Sequence, residues 1–229
     1  MYFSPTYLIY MIPAFILMAL TSWYVKSAYN KWSRVQAQSR LTGAQAAQRL
    51  MSTAGMYGVQ IQGTPGNLTD HYDPRNKTLY LSQGVANVAS VASLAIAAHE
   101  LGHAQQDAED YFPLRFRSAL VPMVNIGSNL GWILIMIGLF LNFTQLAWLG
   151  VVVFAGGAVF ALATLPVEFD ASARAKQLLV QTGIIQSEQE QRGVNAVLNA
   201  AALTYVAGLV TAIMQLLYYV SLVSGRSRD

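Results

Sequence analysis

Cysteine is absent from the 229 residues. That excludes disulfides and thiolate metal sites, so any metal must be held by histidine, aspartate or glutamate. Charge is scarce, at 11% of residues against 54% hydrophobic, which is well under the roughly 25% charged share of a soluble domain. No basic run is interleaved with aromatics, so the net charge of +3 offers no nucleic-acid platform and nucleic acid is not an expected partner. Three long stretches lack charge altogether: residues 1–25, 118–167 and 193–225. A membrane-spanning helix needs only about 20 apolar residues, so these stretches imply several spans and a lipid bilayer around them.

Four spans account for them. The first covers residues 6–25; it has no basic leader and no small-residue cleavage site, and reads as an uncleaved anchor. The 50-residue stretch is too long for one span and divides at "NFTQ" (Asn142 to Gln145), giving a transmembrane hairpin of residues 118–141 and 146–165. The fourth span covers residues 201–223. Lys and Arg accumulate on cytoplasmic loops. With the N-terminus outside, twelve of them (Lys26, Lys31, Arg34, Arg40, Arg49, Arg75, Lys77, Arg115, Arg117, Arg174, Lys176 and Arg192) fall on the cytoplasmic side, and only Arg226 and Arg228 fall outside. The expected protein is a multi-pass protein of the cell membrane whose polar region faces the cytoplasm. Its oligomeric state is open, and a homo-oligomer or a membrane partner is compatible with these spans.

That polar region is residues 26–117. Leu41–Gly55 reads as a short packing helix, with Ala47, Leu50, Met51 and Ala54 on one face and Gly55 as its cap. "YGVQIQG" alternates, a turn-rich segment follows, and "TLYLS" (Thr78–Ser82) places Leu79 and Leu81 on one face, which predicts a small antiparallel sheet. From residue 85 to 106 the pattern predicts one helix, too short in its apolar part to be a span.

This helix carries "AAHELGHAQQ". His99 and His103 are four residues apart, about 400° of helical rotation, so both imidazoles leave one face a turn apart and can chelate one ion. Glu100 adjoins the first of them and can take the proton of a water that zinc brings to a pKa of roughly 7. Three His and five Glu in 229 residues make H-E-x-x-H a chance event at the ~10⁻³ level. The residues otherwise amount to a greasy helix with two histidines, at a cost that an apolar setting makes hard to sustain. Gly102, costing about 1 kcal/mol relative to Ala in a helix, suggests the close approach of another element.

A catalytic zinc needs a third protein ligand. The candidates are Glu168, Asp170 and His71. Glu168 is favoured, because it follows directly on the span that returns to the membrane face of His99 and His103, and because His₂Glu is an established catalytic set. It lies at the start of a ligand helix over residues 166–182. Asp170 can pair with Arg174 four residues on, and Ser172 shares the face of Glu168, so both are expected to support the ligands rather than bind the metal. His71 reads either as a polar turn residue or as a donor to the oxyanion formed when water attacks a carbonyl. Tyr72 and Tyr205 are weaker candidates for the same task.

Taken together, "LTDHYDPRNKTLYLS", "AAHELGHAQQ", "TLPVEFDASARA" and "AALTYVA" resemble the YugP-type membrane zinc metallopeptidases over most of the chain. The HtpX-type and CAAX-prenyl proteases are more distantly similar. The resemblance implies a membrane-anchored neutral zinc protease with one Zn²⁺ per chain and Glu168 as the ligand glutamate. Four residues after that glutamate the HtpX-type motif has aspartate where this chain has Ser172, which leaves the partner of His99 open, with Asp170 as an alternative.

The expected fold is therefore a mainly α integral membrane protein of four transmembrane helices with a small gluzincin-like α+β catalytic region. The expected activity is hydrolysis of peptides or membrane proteins by metal-activated water with Glu100 as base. Leu79, Tyr80 and Leu81 would either form an edge strand on which an extended peptide adds or be a plain core strand. The rival functions are a membrane scaffold or chaperone-like protein with a non-catalytic metal site, and an ion transporter using the histidines as a relay.

Overall fold

The computed structural model describes residues 4–226. Helix α1 is Pro5–Trp32 and α2 is Gly43–Thr53; strands β1 (Gln60–Thr64), β2 (His71–Asp73) and β3 (Thr78–Ser82) follow, then the short α3 (Gln83–Ala86) and α4 (Val91–Ala108). The remaining helices are α5 (Phe112–Phe140), α6 (Thr144–Phe154), α7 (Gly156–Gln181) and α8 (Glu188–Arg226). Four candidate spans are long and apolar enough to cross a membrane: Pro5–Trp32, Phe112–Phe140, Thr144–Gln181 and Glu188–Gly225.

By internal packing the chain divides into two compact units. The first is Ser22–Tyr111 with Val167–Leu203; the second is Phe112–Pro166 with the segments up to Thr21 and from Thr204. Among the described residues, every charged one except Arg115, Arg117 and Arg226 belongs to the first unit.

The core of the first unit is built from α2, β3, α4 and α7, with Leu50, Leu79, Leu81, Leu94, Leu101 and Leu179 fully buried. Helix α2 is held at its start by a capping box in which Thr42 and Gln45 each accept the other's backbone N–H, satisfying two donors the helix itself cannot. Its buried face is Ala46, Ala47 and Leu50; Ala54, expected on that face, is exposed.

The sheet is mixed, a correction to the antiparallel one expected. Its order is β1-β3-β2: β1 runs parallel to β3, from Gln60 opposite Thr78 to Thr64 opposite Ser82, and only β2 is antiparallel, with His71 opposite Tyr80. The cause is the apolar content of β3. Leu79 and Leu81 are fully buried, whereas no residue of β1 or β2 is buried, so the strand that gains most from burial takes the centre. Asp70 closes the far end of β3 by accepting the Ser82 N–H at 2.7 Å and its hydroxyl at 3.1 Å. Burial nonetheless raises the pKa of the Asp70 carboxyl. With both flanks taken, β3 is not an edge, so Leu79, Tyr80 and Leu81 cannot receive a peptide by strand addition.

The helix expected over residues 85–106 is two helices. Ser90 breaks it: its hydroxyl accepts the Ser93 N–H at 3.1 Å as the N-cap of α4. A serine side chain in that role competes with helix continuation on its N-terminal side.

In the second unit α5 and α6 form a hairpin around small residues. A β-carbon on Gly131 would lie 2.9 Å from the Gly150 carbonyl oxygen, and one on Gly150 would lie 2.7 Å from that of Gly131. The two backbones touch directly, which is how helices associate where lipid removes the hydrophobic drive between them. Ile9, Phe15, Met123, Ile126, Val152 and Leu162 are exposed around this unit, as expected of lipid-facing side chains.

Candidate metal centre

Two helices of the first unit supply the site: α4 brings His99, Glu100 and His103, and α7 brings Glu168. They approach closely because of Gly102. A β-carbon at that position would stand 2.5 Å from the Ala171 carbonyl oxygen and 3.0 Å from its Cα, so α7 lies on α4 at backbone contact. The cost of a helical glycine thus has its explanation in packing.

This approach sets Glu168 Oε2 3.4 Å from His99 Nε2 and 3.6 Å from His103 Nε2. The three residues are the group among those described that could hold a metal, with ligand atoms all within 4.8 Å of one another. Both distances exceed a good N–H···O hydrogen bond. They do match a metal cage: ligand lengths of about 2.0–2.2 Å at tetrahedral angles separate neighbouring ligand atoms by roughly 3.3–3.6 Å. Glu168 is 3% exposed and the imidazoles 11% and 13%. Such a charge is costly to bury without a cation or protonated partner.

The other nitrogen of each imidazole is already engaged. Ser172 Oγ lies 3.2 Å from His99 Nδ1, and Gln106 Oε1 lies 3.0 Å from His103 Nδ1. A Gln carbonyl oxygen only accepts, so Nδ1 of His103 carries the proton and its Nε2 presents a lone pair to the centre. In the metal-free site burial favours the neutral imidazole, but the Glu168 carboxylate and the charge of Glu100 outweigh it and hold the His103 pKa above its usual value. A metal bound there would have to displace a proton from His103 wherever that imidazole is charged.

Gln106, which the sequence reading passed over, is the hub behind the site. It is fully buried, and its amide donates to the Val167 carbonyl and to Asp170 Oδ2, each at 2.8 Å. Asp170 in turn accepts from Arg174 Nε at 2.6 Å, and Arg174 reaches Glu109 at 2.7 Å and lies over the Tyr111 ring. Asp170 therefore acts on His103 through Gln106 and is not a partner of His99; that place belongs to Ser172. The available signal was spacing, since Gln106 is three residues after His103 on the same helix. Gln106→Leu is expected to weaken zinc binding about 10- to 100-fold, as loss of an outer-shell partner does, with Asp170→Ala falling in the same range. Zinc dissociation constants by competition with a chelating dye check both.

The remaining candidates lie outside this group. His71 is exposed; its ring stacks on Tyr80 at 4.8 Å and its Nδ1 is 2.9 Å from the Thr69 carbonyl. Donation to Thr69 leaves Nε2 an acceptor unless the ring is protonated. The Tyr72 hydroxyl donates to Asp107 Oδ2 at 2.8 Å, and burial together with that carboxylate pushes its pKa up. Tyr205 is on α8 in the second unit. Glu100, next to His99 in the chain, is buried at 9% exposure.

No solved structure matches the chain. Residues 7–224 match the family described as "Putative neutral zinc metallopeptidase". A relative from Bacillus subtilis (strain 168), described as "Putative membrane protease YugP", is 42% identical over 206 residues, covering 90% of this chain and 91% of its own. With a match of that extent, a two-histidine, one-glutamate group that could hold a metal and four candidate spans, this chain is a membrane protein that belongs to the neutral zinc metallopeptidase family.

Proposed function

We propose that the protein is a gluzincin-like membrane endopeptidase that binds one zinc per chain through His99, His103 and Glu168 and hydrolyses peptide bonds with Glu100 as general base. The observation that carries this reading is the pair of 3.4 and 3.6 Å separations between the two Nε2 atoms and one carboxylate oxygen. Zinc at that point would supply Lewis acidity to a substrate carbonyl and lower the pKa of water to about 7. Glu100, next to His99 in the chain, takes a proton from the attacking water and returns it to the amine nitrogen that leaves as the C–N bond breaks. Ser172 and the Gln106–Asp170–Arg174 chain hold the two imidazoles in orientation, and the buried Glu168 offsets the positive charge of the metal. His71, if it assists the developing oxyanion, does so as the protonated ring.

Cleavage of an unstructured polypeptide such as reduced casein, lost on chelation and restored by zinc, tests the reading. Hydrolysis indifferent to the chelator would refute it.

We further place the N-terminus outside and the metal centre on the cytoplasmic side, on the strength of twelve basic residues against two. A reporter fused after Lys31 should then read cytoplasm, and one inserted at Asn142 should read outside. A cytoplasmic reading at Asn142 would mean that the 50-residue stretch is not a transmembrane hairpin.

A further inference from the structure

The second unit contains a cavity of about 590 Å³, unrelated to the metal centre, whose lining includes Ser128, Asn129 and Trp132 of α5, Gly157 of α7, and Gln215 and Tyr219 of α8. Its position along the spans is informative. Asn129 falls at the middle of the uncharged segment 118–141, and Gln215 lies within one turn of the middle of 201–223. At about 1.5 Å per residue both carboxamides sit within roughly 5 Å of mid-span. Their hydrogen-bonding capacity is largely unspent: the Asn129 amide reaches the Asn125 carbonyl at 3.4 Å, the long limit of such a bond, and Gln215 has no hydrogen-bond partner among the described residues. Asn125 and Asn129 are both exposed, one turn apart on α5. Ser128 is satisfied by the Val124 carbonyl at 2.7 Å.

Polar side chains at this depth are costly and call for a hydrogen-bonding partner, on a neighbouring helix or in a cavity. A carboxamide has one acceptor oxygen and two donor hydrogens, the same two-sided complement as a peptide group. Two of them facing a cavity with an aromatic wall complement a stretch of backbone whose own N–H and C=O groups are unpaired. We infer that this cavity binds a membrane-spanning peptide segment at a break in its helix, where Gly, Asn or Pro leaves backbone groups unsatisfied, with Asn129 and Gln215 as its hydrogen-bonding contacts. The inference rests on the peptidase reading for the meaning of that occupant, which would be the membrane-embedded class of substrate. A continuous apolar helix has no unpaired backbone to offer and gains nothing from the site.

Binding can be read without hydrolysis, and hence independently of the peptidase reading, with the full chain carrying Glu100→Gln in phosphatidylcholine vesicles. The probes are two labelled 24-residue Leu/Ala transmembrane peptides, one with a central Gly-Asn-Pro and one uninterrupted, followed by energy transfer. The interrupted peptide should bind more tightly, and Asn129→Leu with Gln215→Leu should erase that preference, a loss of about 3- to 10-fold for interhelical hydrogen bonds of this kind. Both replacements are apolar in lipid, and unchanged zinc content of the variant reports an intact fold. Equal binding of the two peptides, or a preference that survives both substitutions, overturns the inference. Because the chain has no cysteine, Asn125→Cys gives a single cross-linking site. Efficient cross-linking between two copies that the interrupted peptide does not displace would assign the face to self-association and also overturn it.

Discussion

Glu100→Gln should purify with its full zinc complement and hydrolyse polypeptide about 10²- to 10⁴-fold more slowly than the wild-type chain, the range in which a positioned general base contributes. The substitution removes the proposed proton acceptor while preserving size and hydrogen-bonding shape. It leaves untouched the three side chains gathered into one group, His99, His103 and Glu168. Glu100 is buried, and its charge also contributes to the raised pKa of His103. Metal loss accompanying the loss of rate would mean that Glu100 is structural. Wild-type hydrolysis would remove it from the mechanism.

Glu168→Ala should lose zinc outright under conditions where the wild type keeps it, a larger deficit than the ~10- to 100-fold expected for the outer residues. The carboxylate oxygen closest to both Nε2 atoms comes from this one residue, so no neighbour can substitute for it without moving α7. Asp170, two residues on, is committed to Gln106 and Arg174, and His71 is committed to Thr69 and Tyr80. His71→Ala is accordingly expected to keep its metal. Equilibrium dialysis against zinc separates these variants. A Glu168→Ala protein that binds normally beside a metal-free His71→Ala protein would transfer the third ligand to the strand.

Much of this centre was legible in the sequence, since helical periodicity alone puts His99 and His103 on one face and only two carboxylates, Glu168 and Asp170, lie on the helix that continues the returning span. The need for close approach at Gly102 was legible too. Its partner, the Ala171 backbone, was not, because nothing local in a sequence says which element will lie there. Gln106 was missed because an uncharged amide carries no metal or catalytic signal by itself; its role arises from burial between His103, Asp170 and the Val167 carbonyl. The sheet failed for a related reason. Alternation in "YGVQIQG" and "TLYLS" marks strands but not their order, and the insertion of β3 between β1 and β2 is decided by the burial of Leu79 and Leu81. The helix break at Ser90 was written in the sequence as a capping serine, but the surrounding run of Ala, Ser and Val masked it.

X-ray absorption at the zinc edge of the purified wild-type protein tests the central claim most directly, because the chain has only three histidines and no cysteine. Two imidazole nitrogens at about 2.0–2.1 Å, carboxylate oxygen at about 2.0–2.2 Å and no sulfur is the predicted shell. A shell of three imidazoles, which would have to include His71, or one with fewer than two, would contradict it.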